Sequence, residues 1–288
     1  MELSSAEPLN FSLNPGKPTF SVVGLGRLTF IGLGLRGLGG IPLEGLEKAR
    51  EADKVYIELY TSPLADFSLE QLASLLGKQP IQLSREDLEE RSGEMVLRDA
   101  KEGWAVLMVP GDPMVATTHV DLRLRALKAG IRVEIVHAAS IYSAAASISG
   151  LQAYKFGRTV TIPFPSPGFM PQTPYDVVKE NLSRGLHTLL LLDYDAKTGR
   201  WMTVREGLQY LLTIEESRGE KVASKDRLAL GLAGVGGADV EVKGGLIGRL
   251  IKEDFKLKPQ TIIIPGSLHF MEAEALKVLA GVKPEELP

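Results

Sequence analysis

The sequence predicts an α/β fold built from two α/β domains. Short apolar runs alternate with stretches of helical spacing along most of the chain. A length of 288 residues suffices for two domains of ordinary size. Glycine-rich and proline-rich turns follow two of the apolar runs, and ligands of open α/β sheets bind at such strand ends. The sequence therefore predicts a parallel sheet with its site at the carboxyl ends of the strands.

Composition excludes several classes of function. A net charge of −3 leaves no basic surface for nonspecific nucleic-acid binding. The absence of cysteine excludes disulfides, thiolate metal sites and cysteine nucleophiles, and it favours a cytoplasmic location. No apolar run reaches the roughly 20 residues that span a bilayer, so no membrane association is expected. Scarce asparagine beside many charged residues is typical of proteins from thermophiles.

The chain divides into an extension and two domains. Residues 1–27 are predicted to be a poorly ordered N-terminal extension, because prolines and a glycine punctuate a polar stretch without a secretory pattern. The N-terminal α/β domain is predicted over residues 28–138, and the C-terminal α/β domain over residues 139–288. The predicted strands of the first domain are 28–31, 53–60, 81–83, 105–109 and 133–136.

Helical spacing fills the intervals between these strands. A helix is predicted from Ser68 to Gly77, with Ser68 as its cap. Residues 85–102 are predicted to form one charged helix, whose candidate inward positions are Leu88, Met95, Val96 and Leu97. In the second domain the predicted strands are 159–164, 188–193, 228–233 and 260–264, and the helices are 175–184, 203–217 and 270–280. The glycine-rich stretch 235–245 is predicted to be a loop, and residues 246–255 fit a helix or a strand.

The turn Val109–Pro113 is the central candidate for a site. It follows the apolar run 105–109, and two prolines bracket a glycine and an acid. Asp112 is placed either to meet a polar ligand or to cap the following helix.

A second turn contains the pattern Gly32-x-Gly34-x-x-Gly37. With Glu58 at the end of the next strand, this pattern resembles a dinucleotide-binding fingerprint and its ribose-binding acid. A nicotinamide-dependent dehydrogenase is therefore one alternative. The interval from Gly37 to Pro42 weakens it, because the fingerprint requires the helix to begin at the third glycine.

Taken in order, the segments Phe30–Leu35, Pro110–Pro113 and Ser140–Ile141 resemble the tetrapyrrole methylase family of two-domain S-adenosylmethionine (SAM) methyltransferases. A narrower likeness is to the archaeal branch that modifies a histidine of translation elongation factor 2. The segments that carry this narrower likeness are Glu58–Ser62, Ser84–Asp87, Pro110–His119, His137–Ser143, Tyr154–Gly157, Arg184–Asp193 and Ile264–Glu274.

The resemblance implies a cleft between the two domains that holds SAM. No metal is expected, since cysteine is absent and the sequence contains only four histidines. The resemblance assigns no catalytic side chain, with Asp112 as the nearest candidate. The residues it implies for SAM binding are Leu35, Asp112, Val115, Ser140, Ile141, Leu191 (or its neighbour Leu192), Ala233, Gly234, Pro259 and Gln260.

The implied reaction is transfer of methyl groups from SAM to the amine of an aminocarboxypropyl group carried by a histidine of elongation factor 2. Such chemistry rests on positioning, and water or a nearby carboxylate takes the amine's proton. Elongation factor 2 is the implied protein partner, and a homodimer is the implied assembly. Tyr60, Tyr142 and Tyr154 are candidates to hold the cationic product. The alternatives are a corrin or porphyrin substrate, the dehydrogenase, and an inactive SAM sensor.

Overall fold

A computed structural model describes residues 26–64 and 66–287 of the chain. The predicted N-terminal extension therefore lies outside the described residues up to position 25. Its predicted end is wrong by one residue, because Arg27 already begins the first strand. The described residues form two five-stranded sheets and one small hairpin. The α/β fold is thus confirmed, whereas the domain limits 28–138 and 139–288 stay a prediction.

The first sheet is parallel throughout, and its strand order is β3-β2-β4-β1-β5. Its strands are β1 (Arg27–Gly32), β2 (Lys54–Glu58), β3 (Ile81–Leu83), β4 (Trp104–Val109) and β5 (Arg132–Val136). Successive side chains point to opposite faces: Phe30 and Leu107 pack into one buried cluster, and Ile31 and Met108 into another. Burial of both faces explains why these strands are continuous apolar runs.

Four helices accompany this sheet: α1 (Leu43–Glu51), α2 (Leu69–Leu76), α3 (Glu94–Glu102) and α4 (His119–Lys128). The prediction for α2 is confirmed. The Ser68 hydroxyl accepts the backbone N–H of Gln71, and Gly77 ends the helix in the left-handed conformation.

The single helix predicted over residues 85–102 is wrong. One wide helical turn, Glu86–Glu90, is separated from α3 by Ser92 and Gly93, whose φ angles are 56° and 64°. Left-handed backbone ends a helix. The helical spacing of apolar residues before the break therefore does not continue in phase after it. Met95, predicted to face inward, is consequently 40% exposed.

The second sheet is mixed, with strand order β11-β10-β12-β7-β6. Only its β6–β7 pair is parallel. Its strands are β6 (Val160–Ile162), β7 (Thr188–Leu192), β10 (Leu228–Ala233), β11 (Glu241–Leu246) and β12 (Gln260–Ile264), and the hairpin consists of β8 (Tyr194–Asp195) and β9 (Arg200–Trp201).

Residues 235–240 do form a loop, but the predicted loop over 235–245 is wrong from residue 241 onwards, where strand β11 begins. Its glycines serve close packing in a strand: a Cβ atom on Gly244 would lie 2.6 Å from a methyl carbon of Val282. The helices of this half are α5 (Ile141–Ser149), α6 (Thr173–Ser183), α7 (Val204–Arg218), α8 (Ile247–Leu250) and α9 (Phe270–Ala280).

A buried carboxylate joins three segments of the second half. Glu272, in the first turn of α9, is fully buried and accepts the backbone N–H groups of Gln152 and His269 at 2.9 and 2.8 Å. It also pairs with Lys155 and accepts Nε2–H of His187 at 2.9 Å. Burial alone would raise the pKa of Glu272, but these donors lower it from 4.5 to about 2.

Substitution Glu272→Gln is expected to lower the free energy of unfolding by about 3 kcal/mol, because Lys155 loses a buried partner. The depressed pKa places this contribution above pH 4.5 and removes it as the pH falls towards 2. Urea unfolding at pH 7 and pH 3 measures both effects. The control is Glu274→Gln on the same helix, whose exposed pair with Lys277 contributes at most about 0.5 kcal/mol. Equal losses for the two variants would contradict this role of Glu272.

Candidate active site

The two turns singled out in the sequence are joined by backbone hydrogen bonds. Leu33 N–H donates to Val109 O at 2.8 Å. Gly34 and Gly111 exchange two N–H···O bonds of 3.1 and 2.9 Å. Both glycines have φ near +67°, a region that other residues rarely adopt. The end of β1 and the end of β4 therefore form one rigid floor.

Asp112 connects this floor to the segment after β5. Its Oδ1 accepts Met114 N–H at 3.0 Å, and its Oδ2 accepts Nδ1–H of His137 at 2.8 Å and Ala138 N–H at 3.3 Å. The carboxylate is only 7% exposed. It does not cap the next helix, because α4 begins at His119. Asp112 thus fixes the position at which the chain passes towards the second half.

The segment that Asp112 holds leads directly into α5. Ser140 is the cap of that helix, and its hydroxyl accepts Tyr142 N–H at 3.3 Å. Two contacts therefore fix the N-terminal end of α5: the bond of Asp112 to the preceding segment and the cap at Ser140.

The second half of the chain lies opposite the floor formed by the ends of β1 and β4. The amide of Gln260 accepts Val204 N–H at 2.8 Å and donates to the carbonyl oxygens of Phe255 and Leu257 at 3.1 and 3.0 Å. Its side chain therefore has little capacity left for a ligand. A close approach of Leu35 to Gly236 joins the glycine turn to the loop after β10: a Cβ on Gly236 would lie 2.4 Å from that of Leu35.

Between these parts lies an open cavity, whose empty space together with the solvent at its mouth amounts to about 1060 Å³. Apolar side chains dominate the walls, and hydroxyl groups and backbone supply polar positions. The lining residues are Leu35, 61–64, 110–112, 115–117, 140–142, Leu191, Leu192, Tyr194, Trp201, Met202, Val235 and 259–261.

Eight of the ten residues predicted to bind the cofactor line this cavity: Leu35, Asp112, Val115, Ser140, Ile141, Leu191, Pro259 and Gln260. Ala233 and Gly234 lie one layer behind. Ala233 is buried at the end of β10 beside Gln260, and Gly234 N–H donates to Pro259 O at 2.9 Å. Val235, which follows them, lines the cavity instead.

The aromatic side chains of the cavity differ from those expected. Tyr142 lines it, whereas Tyr154 is 81% exposed and Tyr60 is buried, and neither belongs to the lining. Tyr194 and Trp201 do belong to it, with ring centroids 4.6 Å apart across the β8–β9 hairpin. Sequence reasoning missed this pair. A signal was available in the sequence, because a glycine-containing turn between two aromatic residues indicates a hairpin. In the structure, Gly199 of this turn has a φ of 67°.

Glu58 has no direct access to the cavity. It is fully buried, and its carboxylate accepts the hydroxyl of Thr61 at 2.7 Å and the backbone N–H of Thr61 at 3.2 Å. His119 Nε2 lies 3.4 Å from the same carboxylate. Burial, and then the charge of Glu58, raise the pKa of Tyr60 well above its usual range.

These positions do not favour the dinucleotide alternative. A ribose-binding acid must reach its ligand, and Glu58 is enclosed by Thr61 and His119. Only a three-residue 3₁₀ turn, Leu38–Gly40, follows Gly37 directly. The first α-helix begins at Leu43, six positions after Gly37, so its N-terminus is not at the third glycine.

Within residues 26–64 and 66–287, no group of three or more His, Cys, Asp or Glu side chains is arranged to hold a metal ion. In the same ranges, no helix combines the length and apolar character that a membrane crossing requires.

Comparisons with known proteins agree with this architecture. The family model "Tetrapyrrole (Corrin/Porphyrin) Methylases" matches residues 27–217. Diphthine synthase of Methanocella arvoryzae is 46% identical over 256 residues, which are 89% of this chain and 99% of the relative. Diphthine synthase of Methanocaldococcus jannaschii is 46% identical over 254 residues, which are 88% of this chain and 98% of the relative.

Solved structures give the same result. A crystal structure of diphthine synthase superimposes with a TM-score of 0.81 at 39% identity, covering 90% of this chain and 98% of the other. A putative diphthine synthase from Entamoeba histolytica also reaches a TM-score of 0.81, at 32% identity, covering 88% of this chain and 98% of the other. The chain therefore belongs to the tetrapyrrole (corrin/porphyrin) methylase family, in its diphthine synthase branch.

Proposed function

We propose that the chain is a SAM-dependent N-methyltransferase that modifies translation elongation factor 2. Its substrate is the histidine that carries an aminocarboxypropyl group, and its product is diphthine, an intermediate of diphthamide biosynthesis. The observation that carries this proposal is the 46% identity to diphthine synthases over 89% of the chain. Because these relatives are diphthine synthases, a protein substrate is favoured over a corrin or porphyrin precursor.

The chemistry of the cavity fits SAM as the methyl donor. An adenine ring and a thioether need apolar walls, which Leu35, Val115, Ile141 and Leu191 provide. The polar groups of SAM need hydrogen-bonding partners, and hydroxyl-bearing residues of the wall such as Ser62 and Ser140 offer them, because the Gly111 N–H is already donated to Gly34 O. Since the side chains of Asp112 and Gln260 are occupied by protein donors and acceptors, they contribute mainly by holding the backbone around the cavity. Ser140 and Pro259 complete the first layer of the proposed site, and Ala233 and Gly234 support it from behind.

The protein's part in the reaction is positioning. When bound, SAM supplies a methyl group already activated on a sulfonium. The chain has to exclude water and hold a neutral amine in line with that methyl group, which is worth up to about 7–11 kcal/mol in well-oriented systems. The rigid floor at Gly34 and Gly111 and the fixed start of α5 suit this task.

Aromatic rings in the cavity suit the charge of the reactants. Tyr142, Tyr194 and Trp201 lie in a cavity with mostly apolar walls, where attraction between a cation and an aromatic face is strongest. They are the proposed contacts for the sulfonium and for the methylated ammonium product. This choice replaces Tyr60 and Tyr154, which do not line the cavity.

A homodimer is proposed through the outer face of α9. Four apolar side chains of that helix and the adjacent Tyr154 are between 49% and 81% exposed; the four are Phe270, Met271, Val278 and Leu279. Tyr154 is tied to the start of α9 because its neighbour Lys155 pairs with Glu272. Exposed apolar side chains grouped on one helix favour an interface, and a second copy is the occupant implied by the family resemblance.

Incubation of archaeal elongation factor 2 bearing the unmethylated aminocarboxypropyl-histidine with this protein and SAM is expected to add mass in steps of one methyl group. Intact-protein mass spectrometry measures the steps. The control is the same factor with an unmodified histidine, which should gain nothing. Absence of a mass gain, with SAM binding shown by calorimetry on the same preparation, would contradict the proposed function.

Substitution Asp112→Asn is expected to weaken SAM binding about tenfold, about 1.4 kcal/mol, as measured by calorimetry. The asparagine oxygen can still accept Met114 N–H, but its NH₂ group faces His137 and Ala138 N–H, so the segment before α5 loosens. The control is Asp121→Asn, an exposed carboxylate on α4. An unchanged dissociation constant for Asp112→Asn would remove Asp112 from the proposed site.

Substitution Phe270→Asp is expected to convert a dimer into a monomer, because a carboxylate is costly to bury in an apolar interface. Sedimentation equilibrium at micromolar concentration measures the mass. Leu43→Asp, at an exposed leucine on α1, is the matched control and should keep the mass of two chains. A wild-type chain that sediments as a monomer would contradict the proposed dimer.

A further inference from the structure

Glu58 is a buried carboxylate for which positioning chemistry has no use. It is fully enclosed, and the polar groups bonded to it are the hydroxyl and backbone N–H of Thr61 and, more loosely, His119. Burying a carboxylate costs free energy. If Glu58 served only to stabilise the turn at Thr61, a neutral hydrogen-bond acceptor could do the same at lower cost. A buried carboxylate that is one hydrogen bond away from a cavity is within reach of proton exchange with a group in that cavity through the intervening hydroxyl.

Thr61 connects this carboxylate to the cavity. It lies in the cavity wall, and its hydroxyl hydrogen is directed to Glu58 Oε1 at 2.7 Å. A hydroxyl has one donor and two lone pairs, so its oxygen can still accept a hydrogen bond from a group inside the cavity. An ammonium or amine N–H placed beside Thr61 would complete a chain of two hydrogen bonds that ends at Glu58.

We propose that Thr61 and Glu58 form a proton relay that takes the proton from the substrate amine. The proposal rests on the methyltransferase function above and names the proton acceptor for it. Thr61 is the catalytic residue, since it contacts the amine. Glu58 acts through Thr61 and holds the proton during the transfer.

The proposed step balances in atoms and charge. The N–H bond of the substrate ammonium breaks, and its proton bonds to the Thr61 oxygen while the Thr61 hydroxyl proton moves to Glu58. The freed lone pair then attacks the methyl carbon, the C–S bond breaks, and the sulfonium becomes a neutral thioether. After the product leaves, Thr61 returns the proton from Glu58 to water that enters the cavity.

Several titratable or charged groups surround the relay. His119 of α4 faces Glu58 directly, and Tyr60 follows on the same segment as β2. Beyond Tyr60 lie Arg85, whose guanidinium is 5.5 Å from the Tyr60 ring, and Glu89. All of them are the same in the wild type and in a variant that changes only Thr61, so that variant isolates the relay.

The test compares Thr61→Val, Thr61→Ser and Glu58→Gln in single-turnover methyl transfer from SAM to the modified elongation factor, between pH 7 and pH 9. An amine is largely protonated at pH 7. Loss of the relay should therefore slow Thr61→Val and Glu58→Gln on the order of 100-fold at pH 7. Their rates should recover by about tenfold per pH unit as solvent deprotonates the amine, while the wild-type rate changes little. Thr61→Ser keeps the hydroxyl and should stay near the wild-type rate.

Matched controls separate this effect from a structural one. Thr213→Val on an exposed face of α7 and Glu272→Gln at the other buried carboxylate should leave the pH profile unchanged. Calorimetry confirms that each variant binds SAM, and Thr61→Val decides the question if Glu58→Gln fails to fold. A loss that is equal at pH 7 and pH 9, or no loss in Thr61→Val, would overturn the relay alone. A wild-type chain that binds SAM but transfers no methyl group would overturn the proposed function, and the relay with it.

Discussion

The exchange of hydrogen bonds between Gly34 and Gly111 is the constraint on which the candidate site depends. It forces the turns after β1 and β4 to lie against one another, so that neither can move as an independent loop. Asp112 extends the same connection to the segment before α5. Three separate connections of the first sheet therefore act as one unit, and they form the wall that the second half faces.

The second half uses buried side chains for a comparable purpose. Gln260 ties the start of α7 to the segment that precedes β12, and Glu272 ties the start of α9 to the residues around Lys155. Both cases join helix N-termini, where unpaired backbone N–H groups need acceptors, to chain segments without regular structure. Through Gln260 the cavity wall gains the rigidity that a positioning enzyme requires, whereas Glu272 stabilises a region outside the cavity lining.

Much of the fold could be predicted from the sequence because its signals are local. The cap at Ser68 and the glycine at Gly77 specify α2 within ten residues, and continuous apolar runs identify the parallel strands. Strand β11 was not predictable in this way, because the glycine at position 244 is required by close packing against Val282, which is distant in sequence. The β8–β9 hairpin was missed because two-residue strands carry no periodicity. At the site, the resemblance located eight of ten proposed residues in the wall, but it could not reveal that Gln260 is already bonded to Val204, Phe255 and Leu257.

A further distinction within the site could be drawn only from hydrogen-bond partners. Asp112 and Gln260 are polar residues of the cavity wall whose side chains are engaged by groups of the protein itself. Such groups resist displacement, because a ligand would have to replace bonds that are already made. Thr61 differs, since its one donor is directed inward to Glu58 while its oxygen retains lone pairs. The residues that are fully bonded shape the cavity, and a hydroxyl that keeps accepting capacity beside a buried carboxylate is where proton chemistry can occur.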